Sequence, residues 1–218
     1  PLMLKPSALP PLTLARYPQV KVTEILPIAY GCLGDCSFCC VQHARGKLRS
    51  YPPRDILNRI EKLLAENIQE IWLTAQDLAS YGKDIGTNLP ELLKEIIRIK
   101  RKFKIRLGMM NPHPTLDILN DLAEIYSNEK IFKFFHLPIQ SGDNEVLKNM
   151  NRHYTVEDFL EIVTTVKKKN PSLTLSTDFI CGFPGETDEK FENSIKIIQK
   201  IRPDIINISK YYPRPKTK

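Results

Sequence analysis

Apolar residues follow two alternating rhythms along this chain. Short apolar runs read as strands: EILPIAYG (24–31), EIWLTAQD (70–77), KIRLGMM (104–110), FKFFHLPI (132–139), LTLSTDFICG (173–182) and IINISKYY (205–212). Between them lie stretches with the spacing of one-sided helices. RDILNRIEKLLAE (54–66) sets Ile56, Leu57, Ile60, Leu63 and Leu64 on one face. LPELLKEIIRIK (89–100) carries Pro90 in its first turn. TLDILNDLAEIY (115–126) and TVEDFLEIVTTVKKK (155–169) begin at Thr115 and Thr155 as N-caps. TDEKFENSIKIIQKI (187–201) is the last helix. Strand and helix thus alternate six times, which predicts parallel strands joined by right-handed helical crossovers. Six units are too few for a closed eightfold barrel, and no glycine-rich phosphate fingerprint follows the first strand. The expected fold is α/β, a partial (β/α)6 TIM-type barrel of parallel strands with outer helices.

In such folds ligands sit at the carboxyl ends of the strands, where the unusual residues of this chain collect. A cysteine loop follows the first strand, Gln76 and Asp77 the second, Asn111 and His113 the third. Gln140, Ser141 and Gly142 follow the fourth, CGFPGET the fifth and YYPRP the sixth. Six such loops on one rim point to a working face.

The first 18 residues hold Pro1, Pro6, Pro10, Pro11 and Pro18, which predicts an extended segment. Residues 1–23 are expected to be a linker from an upstream domain, and residues 24–218 one core domain. No apolar run reaches the length of a membrane span, so no membrane partner is expected. The net charge of +7 favours a polyanion such as nucleic acid. The runs RIKRKFKIR (98–106) and KKKN (167–170) read rather as solvated helix ends. Five cysteines, four of them crowded together, do not read as a secreted disulfide framework, which favours the cytoplasm.

Those four lie in YGCLGDCSFCC (30–40). Cys32, Cys36 and Cys39 form C-x3-C-x2-C, a spacing able to turn three thiolates toward one centre, with Gly31 and Gly34 freeing the backbone. Thiolates hold iron–sulfur clusters, and three ligands would leave one iron of a four-iron cluster open. A Cys3His zinc site adding His43 and a redox pair of Cys36 and Cys39 are alternatives on the same residues. Inert packing suits Cys40 and Cys181 better than the triplet. None of the four histidines is assigned as a catalytic base.

With Phe38 just before its last cysteine, the triplet resembles the signature of the radical S-adenosylmethionine (SAM) enzymes. GCLGDCSFC, ARGKLRSYP, EIWLTAQDLASYG, FFHLPIQSGDNEVLKNMNRHYT, STDFICGFPGETDEKFENS and the terminal YYPRPKTK are similar, in order, to blocks of the radical SAM methylthiotransferase family. ARGKLRSYP and DIGTNLPELL most resemble its archaeal and eukaryotic threonylcarbamoyladenosine tRNA type. Sister types act on isopentenyladenosine in tRNA or on a ribosomal protein. A non-catalytic, zinc-stabilised RNA-binding module is the alternative from another class.

The resemblance implies one [4Fe-4S] cluster on Cys32, Cys36 and Cys39, whose open iron chelates SAM. It implies a 5′-deoxyadenosyl radical that takes hydrogen from C2 of the modified adenine beside the anticodon. Sulfur insertion and methylation would follow. Gln76 and Asp77 are expected near the SAM amino group, Ser141 and Gly142 near the ribose, and Arg152 on the carboxylate. Gly182 would permit close approach, with Phe183 beside the adenine. Expected partners are tRNA, a flavodoxin- or ferredoxin-like electron donor and a sulfur donor. A second [4Fe-4S] cluster is expected only in a full-length protein, because two cysteines remain after the triplet. The chain is therefore expected to cleave SAM without methylthiolating tRNA.

Overall fold

The computed structural model describes residues 9–12, 22–215 and 217. Most of the expected linker, residues 1–8 and 13–21, lies outside the described residues. Leu9 and Leu12 rest against the core, and the Tyr51 hydroxyl donates to the Pro10 carbonyl at 2.5 Å.

The strands are β1 (Thr23–Pro27), β2 (Ala29–Tyr30), β3 (Arg49–Ser50), β4 (Glu70–Thr74), β5 (Lys104–Leu107), β6 (Phe134–His136), β7 (Thr174–Cys181) and β8 (Ile205–Lys210). The helices are α1 (Val41–Arg45), α2 (Pro53–Ala65), α3 (Leu89–Arg98), α4 (Pro112–Leu116), α5 (Leu119–Ile125), α6 (Asn144–Asn149), α7 (Val156–Lys169) and α8 (Asp188–Ile201). Strands β1, β4 and β5 pair in parallel, as do β6, β7 and β8. Backbone bonds at Ile105 join the two sets: its amide donates to Lys130 at 2.7 Å, and its carbonyl accepts from Phe132 at 2.9 Å. The six parallel strands form one sweep in the predicted order. Among the described residues β8 does not pair with β1, so the barrel is open.

Apolar inward positions explain the core. Ile71 and Leu73 of β4 and Ile105 and Leu107 of β5 are fully buried, each pair two residues apart as a strand requires. Helix α2 buries Ile56, Ile60, Leu63 and Leu64, the face read from its periodicity. Pro90 stands in the first turn of α3. Thr155 caps α7 through a full capping box with Asp158, an arrangement worth about 1 kcal/mol.

Three expectations change. The first strand was read as 24–31. It breaks after Pro27, and Ala29–Tyr30 turn away to pair antiparallel with β3. Thr115 does not cap a helix. Asn111 caps α4 instead, accepting from the His113 amide, and the buried Thr115 hydroxyl donates to the Asn111 carbonyl at 2.7 Å. The single helix read at 115–126 is therefore two, because Pro112 and Pro114 fit a first turn beginning earlier. Cys40 and Cys181 are only half-buried, not core packing residues.

Candidate iron–sulfur and SAM site

The thiol loop begins at a backbone that only glycine tolerates. Gly31 has φ +71°, and a Cβ there would lie 2.1 Å from the Lys47 carbonyl oxygen. The loop is then fastened to residues 149–153. Ser37 donates its amide to the Met150 carbonyl at 3.0 Å and its hydroxyl to the Asn149 carbonyl at 2.9 Å. The Asn151 amide group donates to the Asp35 carbonyl at 3.0 Å, and His153 Nε2 meets the Asp35 carboxylate at 3.0 Å. Arg152 Nη1 donates to Cys36 Sγ at 3.1 Å and its Nε to the Tyr154 hydroxyl at 3.0 Å. Tyr154 in turn donates to the Ile139 carbonyl at 2.6 Å. One short segment, from the last residue of α6 to Tyr154, thus holds the middle of the loop at Asp35, Cys36 and Ser37.

Cys32, Cys36 and Cys39 are half-buried and free. Burial, more than any other cause, pushes the Cys32 and Cys39 thiols up, and the charge of Cys36 pushes both further. Such thiols stay protonated until a metal displaces the proton. Gly34 lies between two of them. A Cβ there would stand 3.4 Å from Cys32 Sγ and 3.7 Å from Cys36 Sγ, so a side chain would fill the space the sulfurs face. Among the described residues no three His, Cys, Asp or Glu side chains gather around one metal position. A single zinc needs its sulfurs about 4 Å apart, whereas a cluster takes each thiolate on a different iron. Three thiols with no fourth ligand among the cysteines of the loop's C-x3-C-x2-C spacing are a donor set that fits such a cluster.

Two cavities open beside this loop. The first, of about 300 Å³, is lined by Cys36, Asp77, Lys83, Asn111, His113 and Arg152 among others. The second, of about 450 Å³, is lined by Phe38, His136, Gln140, Asp178 and residues of β8 and the turn after it.

The other expected site residues divide. Arg152 reaches the first cavity half-buried. Burial alone would lower its pKa, but the Tyr154 and Cys36 partners outweigh this and carry it above the ordinary guanidinium value. Asp77 also lines that cavity, yet its carboxylate faces inward. It accepts from the Ala79 amide at 3.1 Å, the Ser80 hydroxyl at 2.7 Å and the Asn111 amide at 2.9 Å. Burial pushes its pKa up despite these three donors. Gln76 lines neither cavity. Ser141 is fully buried and accepts from the Asp143 amide at 3.3 Å. Gly142 faces helix α8: its amide donates to Ser194 Oγ at 2.8 Å, and a Cβ would lie 2.5 Å from Ser194 Cα. Gly182 turns at φ +76°, its amide held by Glu186 at 2.5 Å. Phe183 is 7% exposed, edge-to-face with Tyr211 at 5.1 Å and clustered with Phe38, Val146 and Met150.

Sequence reading passed over the pairing of His136 with Asp178. His136 Nε2 lies 3.0 Å from Asp178 Oδ1, and Asn207 donates to the same oxygen at 2.7 Å. The available signal was an acidic residue inside the otherwise uncharged strand TLSTDFIC. Two of the four histidines also meet, since His113 and His153 stand 5.8 Å apart in the first cavity.

Comparison with known proteins agrees with this geometry. A protein from Pyrococcus abyssi, "Probable threonylcarbamoyladenosine tRNA methylthiotransferase", is 50% identical over 94% of this chain and 48% of its own length. The Homo sapiens "Threonylcarbamoyladenosine tRNA methylthiotransferase" is 41% identical over 94% of this chain and 36% of its own length. The chain thus spans about half or less of these relatives. The radical SAM methyltransferase TsrM from Kitasatospora setae superposes with a TM-score of 0.70 over 85% of this chain and 36% of its own, at 17% identity, a likeness of fold. No helix among the described residues is long and apolar enough to cross a membrane. The radical SAM superfamily model matches residues 26–198, from β1 through most of α8, and with it the thiol loop, its clamp and the first cavity, while the second cavity extends past it into β8 and the turn beyond. On that match the chain belongs to the radical SAM superfamily, whose domain implies a [4Fe-4S] cluster and SAM.

Proposed function

We propose that residues 24–218 are the radical SAM core of a tRNA methylthiotransferase that adds a methylthio group to C2 of threonylcarbamoyladenosine next to the anticodon. The observation that carries this reading is the loop bearing Cys32, Cys36 and Cys39 after the first strand, held at Asp35, Cys36 and Ser37 by residues 149–153 within the matched radical SAM segment. The names of relatives at 41–50% identity support the reaction and the substrate.

Cys32, Cys36 and Cys39 would hold the cluster, and Gly34 leaves room between the sulfurs. With SAM bound, that group supplies a 5′-deoxyadenosyl radical. The chain's own residues orient and exclude water. Arg152 neutralises sulfur charge at Cys36 and offers its remaining donors to an anionic group in the first cavity. Asp77 fixes the floor of that cavity by tying the ends of β4 and β5 together through Ala79 and Asn111. Phe38 and Phe183 close the neighbouring wall. A flavodoxin- or ferredoxin-like donor, a sulfur donor and tRNA would act with this core in the cytoplasm, with a second cluster outside this chain.

Anaerobic reconstitution tests the reading. One four-iron cluster per chain is expected, with 5′-deoxyadenosine formed from SAM under a strong reductant. Serine at position 32, 36 or 39 is expected to abolish both, whereas serine at 40 or 181 leaves both intact. A colourless zinc protein, or SAM cleavage surviving those three substitutions, would refute it.

A further inference from the structure

The second cavity is polar where a nucleobase pocket for an apolar modification would be greasy. Asp178 is already satisfied by His136 and Asn207. Lys210 and Arg214 line the same cavity, and neither pairs with a carboxylate among the described residues. The cavity therefore keeps a surplus of positive charge beyond what its one carboxylate balances.

Gln140 adds a second observation. It holds φ +74°, a left-handed conformation rare outside glycine and worth about 1 kcal/mol or more of strain. Its backbone is locked there by β7: its amide donates to Asp178 at 2.8 Å, and its carbonyl accepts from Ile180 at 2.9 Å. Its side-chain amide lines the cavity with no partner among the described residues. At the mouth, Tyr212 is 71% exposed, with the Arg214 guanidinium 6.0 Å from its ring. An exposed aromatic face beside a cation suits a base stacked above an anionic substituent. Phe38 joins this cavity to the thiol loop, so its occupant would lie next to the radical source.

We propose that this cavity receives the modified adenine, with Lys210 and Arg214 pairing the threonyl carboxylate and Gln140 bonding the carbamoyl group. The inference rests on the substrate reading above and assigns its selectivity to named side chains. Arg214 supplies a planar fork for the carboxylate, and Lys210 a second charge. An isopentenyl arm would cover these groups without pairing them, a cost that selects against it.

The test measures binding of three anticodon stem-loop RNAs to the reconstituted, SAM-bound chain. One carries threonylcarbamoyladenosine, one its methyl ester, and one unmodified adenosine. Binding of the unmodified RNA is the baseline, so general phosphate attraction cancels in the ratio. The wild-type chain is expected to favour the free acid about tenfold or more over the ester. In the double variant Lys210→Gln with Arg214→Gln, that preference is expected to fall to about twofold or less. A control losing the same charge on α7, Lys167→Gln with Lys168→Gln, is expected to keep it. Preference retained in the double variant, or equally lost in the control, overturns the pocket assignment alone. A wild-type chain that binds all three RNAs equally overturns the substrate reading and this inference with it.

Discussion

Arg152 donates to the Cys36 sulfur across 3.1 Å, although the two residues stand 116 positions apart. Its other contact, to Tyr154, runs on to the Ile139 carbonyl beyond β6. The guanidinium thus couples a ligand loop at one end of the sweep to a strand end in its second half. Groups that hydrogen-bond a metal ligand typically change metal affinity about 10–100-fold when removed. Arg152→Ala is expected to keep the fold but to release iron to a chelator about tenfold faster. Arg152→Lys should recover only part of this, because an ammonium lacks the fork that reaches sulfur and hydroxyl together. Iron release at wild-type rates in the alanine variant would show the contact to be incidental.

Gly142 and Gly182 were both read as places of close approach to a ligand, and their surroundings differ. A Cβ at Gly142 would strike the α8 backbone at Ser194 and Asn193, at 2.5–2.7 Å. A Cβ at Gly182 meets nothing within 4 Å. Overpacking of this kind costs about 1–3 kcal/mol. Gly142→Ala should therefore lower Tm by roughly 2–12 °C. Gly182→Ala should cost about 1 kcal/mol, from its φ of +76° alone. Thermal unfolding of the two variants decides the point, and equal losses would mean that α8 yields more readily than its packing indicates.

These cases mark what the chain reveals locally. The alternation of strands and helices was legible because apolar spacing is a local property, and so was the thiol triplet. The cap at Thr155 was legible too, since Asp158 three residues on completes its box. Thr115 misled because the same local pattern was overridden by Asn111 and two prolines upstream. The partners of Gly142, Arg152 and Asp178 lie 52, 116 and 42 residues away, and only strand order and register bring them together. The lysine-rich run at 98–106 turned out to be partly structural. Arg101 donates to the Leu64 carbonyl at 3.1 Å, beside the end of α2. Lys130, from another segment, reaches the Ile97 and Ile99 carbonyls at the end of α3. Basic side chains on helix carboxyl ends offset the helix dipole and need no polyanion to explain them.

Asp77 offers a test of function against architecture. All three of its hydrogen bonds come from protein donors, two of them backbone amides. Asparagine in its place would keep one oxygen for the two backbone amides, which share Oδ1, and turn its NH2 toward the Ser80 hydroxyl, which can accept. Asp77→Asn should therefore cost little stability. Asp77→Ala leaves two buried amides without an acceptor and should destabilise the chain by about 1–3 kcal/mol. The loss in the alanine variant should appear without SAM or iron present, in the midpoint of urea unfolding. If stability is unchanged in that variant while SAM affinity falls, Asp77 acts on the ligand and not on the strand ends.

The His136–Asp178 contact predicts how stability changes in acid. Burial pushes the Asp178 carboxyl up, but the bonds from His136 and Asn207 outweigh it and hold it below the ordinary value of 3.8. A carboxyl lower in the folded chain than in the unfolded one stabilises the fold fully above the unfolded pKa, near about 4. That contribution fades as pH falls through the folded value. Asp178→Asn should therefore lower Tm by roughly 3–6 °C at pH 7. The gap should narrow steadily below about pH 4, because protonation then deprives the wild type of the same carboxylate. Following the difference between the two chains, and not either alone, removes the acid sensitivity of all other groups. A constant gap from pH 7 to pH 3 would mean that asparagine disturbs packing and that the charge of Asp178 contributes nothing to the fold.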